Sequence, residues 1–202
     1  MKNRYGIDIW SDDNFFIEDG VVKVNYKPYP SLIKIVKDVR KQGFKGPLLL
    51  RFPHITKKQV KTLFNTFNAS IKEYDYKGKF NAVFPLKVNQ LPNFIHPLVS
   101  YGKKYNYGLE AGSKAELIIA MTYNNMGSPI TINGFKDKEM IHLCFIAKSM
   151  GHDITVIIEG LNELEMILEV LNETKMEAPN VGLRVRLHSG GSGVWAKSGG
   201  ID

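Results

Sequence analysis

The sequence predicts an α/β fold organised around a parallel sheet, and three observations lead there. From residue 80 onward, apolar strand-like runs alternate with helical patterns, which is βαβ repetition. Successive strand centres fall about 22–28 residues apart, close to the roughly 30 residues per unit of an eight-stranded β/α barrel. The last strand-like run leads into a glycine-rich stretch, residues 188–202, with no helical pattern behind it. A finished parallel sheet has both faces covered. Between a complete doubly wound sheet and an interrupted (β/α)8 barrel, this ending favours the barrel, with about five strands present.

The elements read in order as follows. Phe15–Ile17 and Val21–Val24 flank an Asp19-Gly20 turn signal and predict a small hairpin. Ser31 is placed to cap a helix carrying Leu32, Ile35, Val36 and Val39 on one face, with Gly43 at its stop. Leu48–Phe52 reads as a short strand. Thr56 opens a second amphipathic helix with Val60, Leu63, Phe64, Phe67 and Ile71 in a stripe. Lys57, Lys58, Lys61 and Lys72 lie opposite that stripe as a solvated face. The regular part then predicts strands at Asn81–Val88, Tyr107–Ala111, Ile130–Asn133, Ile154–Ile158 and Val181–Leu187. Helices fall between them near 93–101, 114–123, 137–149 and 162–172, the second opened by the capping box Ser113-Lys114-Ala115-Glu116. An open half-barrel would leave the inner faces of Val83, Ile132 and Ile157, or of their strand neighbours, uncovered.

Composition narrows the function classes. With 202 residues, 44% of them hydrophobic and 23% charged, the chain has the composition of a soluble globular protein of one large or two unequal domains. No apolar run approaches the roughly 18 residues of a membrane span. The start of the chain carries no secretory h-region and Cys144 has no internal partner, so a reducing, cytoplasmic setting is expected. The net charge of +7 is concentrated early: residues 1–100 hold 17 basic and 8 acidic side chains, residues 101–202 hold 10 and 12. That asymmetry leaves open a non-catalytic module for nucleic acid or a phosphate-bearing ligand.

In parallel α/β folds ligands bind where strands end. Those positions hold Lys87, Glu110, Asn133, Glu159, Arg184, Arg186 and His188. Lys87 ends the apolar run Val83-Phe84-Pro85-Leu86. Partial burial there would favour a neutral amine able to attack a carbonyl, although a lysine also snorkels from such a place to water. Glu110 precedes a helix N-terminus, and Asn133 before Gly134 is a turn residue first. Arg184 and Arg186 share strand parity and therefore one face. Gly191-Ser192-Gly193-Val194-Trp195-Ala196 fits a dinucleotide fingerprint, but no helix pattern follows it, and Ala196-Lys197-Ser198 lacks the glycine of a P-loop. The histidines show no metal-ligand spacing, and Cys144 on an apolar helix face reads as a small hydrophobe.

Four segments resemble one enzyme family: Asn81-Ala82-Val83-Phe84-Pro85-Leu86-Lys87-Val88-Asn89-Gln90, Gly108-Leu109-Glu110-Ala111-Gly112-Ser113-Lys114-Ala115-Glu116-Leu117, Asn133-Gly134-Phe135-Lys136-Asp137 and Gly182-Leu183-Arg184-Val185-Arg186-Leu187. They are similar to the biosynthetic arginine decarboxylases, as are Tyr5–Trp10 and Leu48–Pro53. The resemblance implies an alanine-racemase-like fold. Residues 1–53 would be an N-terminal segment belonging to a β-domain, and residues 54–202 the first part of a pyridoxal-phosphate-binding (β/α)8 barrel. It also implies decarboxylation of arginine to agmatine for polyamine synthesis. Lys87 would hold pyridoxal 5'-phosphate, with Glu110, Asn133, Arg184 and Arg186 as further cofactor-site residues, and magnesium as a possible second cofactor. Family members are considerably longer, so this polypeptide is expected to be inactive by itself. The full-length protein is expected to form homo-oligomers and to bind neither membrane nor nucleic acid. Related decarboxylases of ornithine, lysine or diaminopimelate share the fold, and the resemblance alone selects arginine.

Overall fold

The computed structural model describes residues 6–185. The chain divides into two compact units, residues 1–59 and 60–202.

The first unit begins with a single helical turn, α1 (Ile7–Trp10), and an antiparallel hairpin of β1 (Phe15–Glu18) and β2 (Val21–Val24). Asp19 at φ 52° and Gly20 at φ 73° form its two-residue turn, the left-handed pair that matches strand twist. Next comes α2 (Leu32–Lys41), whose Ser31 side chain accepts the Lys34 N–H at 3.2 Å, as the capping signal predicts. Leu48–Phe52 is not a strand: no neighbour offers it a ladder, and it runs as irregular chain into α3 (Pro53–Glu73). That helix starts at Pro53 rather than Thr56, since proline at a helix start gives up an N–H that has no partner there anyway.

The second unit contains the end of α3 and then β3 (Val83–Pro85), α4 (Pro92–Gly102), β4 (Gly108–Ala111), α5 (Lys114–Tyr123), β5 (Pro129–Ile132), α6 (Lys138–Ser149), β6 (Asp153–Ile158), α7 (Leu161–Thr174) and β7 (Asn180–Leu183). The five strands β3 to β7 form one parallel sheet in sequential order. A doubly wound sheet reverses its order to put helices on both faces. Steady order with right-handed crossovers instead puts them all on one face, as in a partial α/β barrel.

Burial agrees. Leu109, Ile130 and Ile154 stand in register and are fully buried, as are Ala111, Ile132 and Val156. They pack with Ile95 of α4, Leu117 of α5, Phe145 of α6 and Ile167 of α7 in one core. The alternate residues Glu110, Thr131 and Thr155, also in register, are only half-buried. Ile132 thus faces the helices, and its neighbour Thr131 takes the opposite face. All five predicted strands shift at their ends, three of them by a single residue and two by more. Asn81–Val88 contracts to Val83–Pro85 because Leu86–Val88 close a turn through the Val88 N–H and the Pro85 carbonyl, 3.0 Å apart. The final strand spans Asn180–Leu183, leaving Arg184 just past its end.

Candidate functional site

At the carboxyl ends of these strands lies a cavity of about 260 Å³, lined by Lys87, Glu110, Glu116, Asn133 and Arg184 with Gly112 and Gly134 between them. Four residues singled out in the sequence, Lys87, Glu110, Asn133 and Arg184, therefore share one pocket. Arg186 and His188 lie outside the described residues, as does the glycine-rich stretch with its fingerprint-like spacing.

The strand endings explain the convergence. Glu110 sits within β4 beside Pro85 and Thr131, on the face away from the helices. Lys87 enters from the turn after β3, Asn133 follows β5, and Arg184 follows β7. Lys87 is exposed. The partial burial expected of it is not found, because Leu86, fully buried, takes the inward place in the turn.

Three residues that line the pocket, Gly112, Glu116 and Gly134, were not among the sequence candidates for the site. Ser113 caps α5 by accepting the Glu116 N–H at 3.3 Å, as its capping box predicts. The Glu116 carboxylate, though, reaches one residue further back, accepting the Gly112 N–H at 2.7 Å and the Gln90 side-chain N–H at 3.0 Å. The box signals a carboxylate folded over the strand-to-helix loop, which is where the pocket forms. Gly112 keeps that loop close: a Cβ there would lie 3.1 Å from the Asn133 carbonyl oxygen. Asn133 itself acts as a turn residue, its Oδ1 accepting the Gly134 N–H at 3.2 Å, with Gly134 at φ 96°.

Glu159, after β6, joins two sides of the site: its Oε1 accepts the Gly134 N–H at 3.0 Å and faces Arg184 Nη1 at 3.3 Å. Beneath it lies a pair that no sequence spacing announced. Lys136 and Glu163, 27 residues apart, form an ion pair at 3.1 Å, the lysine side chain with no exposure and the glutamate with 6%. No group of three or more His, Cys, Asp or Glu among the described residues is arranged to hold a metal ion, so nothing supports a magnesium site. Among the described residues no helix is long and apolar enough to cross a membrane.

No family model matches the chain. Individual proteins do match. A biosynthetic arginine decarboxylase of Citrifermentans bemidjiense is 40% identical over 206 residues, covering 98% of this chain and 32% of its own length. The protein of that name from Bacteroides thetaiotaomicron is 36% identical over 204 residues, again covering 98% and 32%. Among solved structures, the biosynthetic arginine decarboxylase SpeA of Campylobacter jejuni superposes with a TM-score of 0.89 at 60% identity, covering 92% of this chain and 31% of that one. The chain spans about a third of the length of the curated relatives it matches. Over nearly its whole length, this chain is similar to the biosynthetic arginine decarboxylases.

Proposed function

We propose that this chain supplies the cofactor-attaching part of a pyridoxal-phosphate-dependent arginine decarboxylase with an alanine-racemase-like barrel, in which residues 1–53 belong to a β-domain and residues 54–202 begin the barrel. The observation that carries the reading is the single pocket at the strand ends that contains an amine, a guanidinium and two carboxylates. The reaction is that of the similar proteins, named biosynthetic arginine decarboxylases, and arginine as substrate rests on that similarity alone. The sequential sheet order and the TM-score of 0.89 support the barrel.

The residues fit the cofactor chemically. Pyridoxal 5'-phosphate brings an aldehyde, an aromatic ring and a phosphate; the pocket offers a primary amine for the first and a cation for the last. Gly112 and Gly134 leave the wall between Glu110 and Asn133 free of side chains. When bound, the cofactor would serve as the sink for the electron pair left on Cα as carbon dioxide departs.

The chain's own groups divide the remaining work. Lys87 would hold the cofactor through Nζ, from an exposed turn where its amine is free to be approached and displaced. Glu110 presents a carboxylate from the rigid β4 ladder, positioned to hold a proton at a ring or substrate nitrogen. Glu116 is already committed to the Gly112 and Gln90 donors, so it fixes the wall. Arg184, held by Glu159, supplies positive charge on the far side.

The test is incubation of the chain with pyridoxal 5'-phosphate, reduction with borohydride and mapping by mass spectrometry. A single reduced adduct on Lys87, absent in Lys87→Ala, supports the reading. An adduct at other lysines but not Lys87 refutes it.

A further inference from the structure

A closed set of contacts ties the loop after β5 to the loop after β6 beneath the pocket. Lys136 Nζ donates to both oxygens of Glu163, at 3.2 and 3.1 Å, and to the Gly134 carbonyl at 2.5 Å. Glu163 Oε2 also accepts the Glu159 N–H at 2.8 Å. The Glu159 carboxylate in turn accepts the Gly134 N–H and meets Arg184. Gly134 is thus gripped at both its N–H and its carbonyl, directly or through Glu159, by groups that depend on one buried ion pair.

Burial of such a pair costs desolvation of two charges, and exchanging both for apolar residues is often neutral or stabilising. Stability alone therefore does not account for it. The contacts it makes are all to backbone groups whose placement shapes the pocket wall: Gly134 lines the pocket, and Glu159 orients Arg184, which lines it from the other side.

We propose that the Lys136–Glu163 pair is a positioning latch, holding the Gly134 and Glu159 loops so that Asn133 and Arg184 face an anionic ligand in the pocket. Neither residue lines the pocket; both act through others. The inference rests on the cofactor reading above, with pyridoxal 5'-phosphate as the ligand tested.

The experiment compares the full chain with the Lys136→Met, Glu163→Leu double variant, in which neither charge is left unpaired. Three quantities are measured: the melting temperature, amide hydrogen exchange at Gly134 and Glu159, and the affinity for pyridoxal 5'-phosphate with borohydride trapping at Lys87. The expected result is a melting temperature at or above the parent's, faster exchange at both amides, and affinity lower by roughly tenfold, the effect expected when one hydrogen bond to a charged group is misplaced. If that double variant melts below the parent, Lys136→Met combined with Glu163→Gln, which keeps an oxygen for the Glu159 N–H and leaves no buried charge unpaired, carries the same comparison. Unchanged exchange, or faster exchange with unchanged affinity, overturns the latch while leaving the cofactor reading intact. Failure of the parent itself to form the Lys87 adduct overturns the cofactor reading, and the latch with it.

Discussion

Glu116 lies 2.7 Å from the backbone N–H of Gly112, four residues before it, and so closes the loop between β4 and α5 with its own carboxylate. The residue is 8% exposed, and its other oxygen takes the Gln90 amide. Gly112 itself is exposed, so water can take up its N–H when the carboxylate is removed. Glu116→Ala is expected to lower stability by about 1 kcal/mol in urea unfolding, the usual net worth of an intramolecular hydrogen bond. Glu116→Gln, with one oxygen left, should lose clearly less. Equal losses for the two variants would show that packing, and not these hydrogen bonds, gives Glu116 its weight.

Two glycines of the sheet should respond oppositely to alanine. At Gly108, a Cβ would stand 1.9 Å from the Pro129 carbonyl oxygen and 2.8 Å from its carbonyl carbon, both backbone atoms that the β4–β5 ladder holds in place. At Gly182, the close atom is Ile157 Cδ1 at 2.7 Å, the far end of a side chain that can turn aside. Gly108→Ala is expected to cost about 3 kcal/mol or more and to reduce the soluble yield. Gly182→Ala should stay within about 1 kcal/mol. Thermal melts of the two variants decide this, and a tolerated Gly108→Ala would mean that β4 and β5 are less closely set.

The contrast shows what the sequence could and could not reveal. The β4, β5, β6 and α5–α7 segments were legible because each buries one face in a single core, and such burial writes its period directly into residues such as Leu109, Ile130 and Ile154. Leu48–Phe52 looked equally strand-like, yet a strand needs a ladder partner, and partnership is not a local property. Strand-end logic picked out Lys87, Glu110, Asn133 and Arg184, which line one pocket. It missed the environment of Lys87, since which residue of a turn faces inward depends on turn geometry, and Leu86 won. It also missed Lys136 with Glu163, a contact across 27 residues made by the β5–α6 loop against the first turn of α7.

His152 gives the chain an acid-sensitive element. The residue is 5% exposed, its Nδ1 is buried without a protein partner, and burial pulls its pKa below the ordinary 6.5. The unfolded chain therefore binds this proton more readily than the folded one. Stability is fully present above about pH 6.5 and is lost as the pH falls from there toward the lower folded value. The second burial-shifted imidazole, His54, acts in the same direction. Urea midpoints measured from pH 8 to pH 5 should fall on the acid side, and His152→Gln should flatten that fall relative to its own value at pH 8. A variant with the parent's acid slope would assign the loss to other groups.

Cys144 offers a probe of opening in the sheet–helix core. It is the chain's only cysteine, it has no exposure on the inner face of α6, and burial pushes its thiol up to about 12. At pH 8 about one thiol in ten thousand would then be ionised in the folded state, and the thiolate is the reactive form. Exposure and ionisation both require the α6 packing against Ile132 and Val156 to open, so alkylation reports the open population rather than surface chemistry. Treatment with iodoacetamide at pH 8 should leave the native chain unmodified and add a single label in urea. In Gly108→Ala, whose β4–β5 ladder is under strain, the native-state labelling rate should rise in step with the loss of stability. Rapid labelling of the unperturbed chain without denaturant would show that the helix layer over β5 and β6 opens far more readily than its complete burial implies.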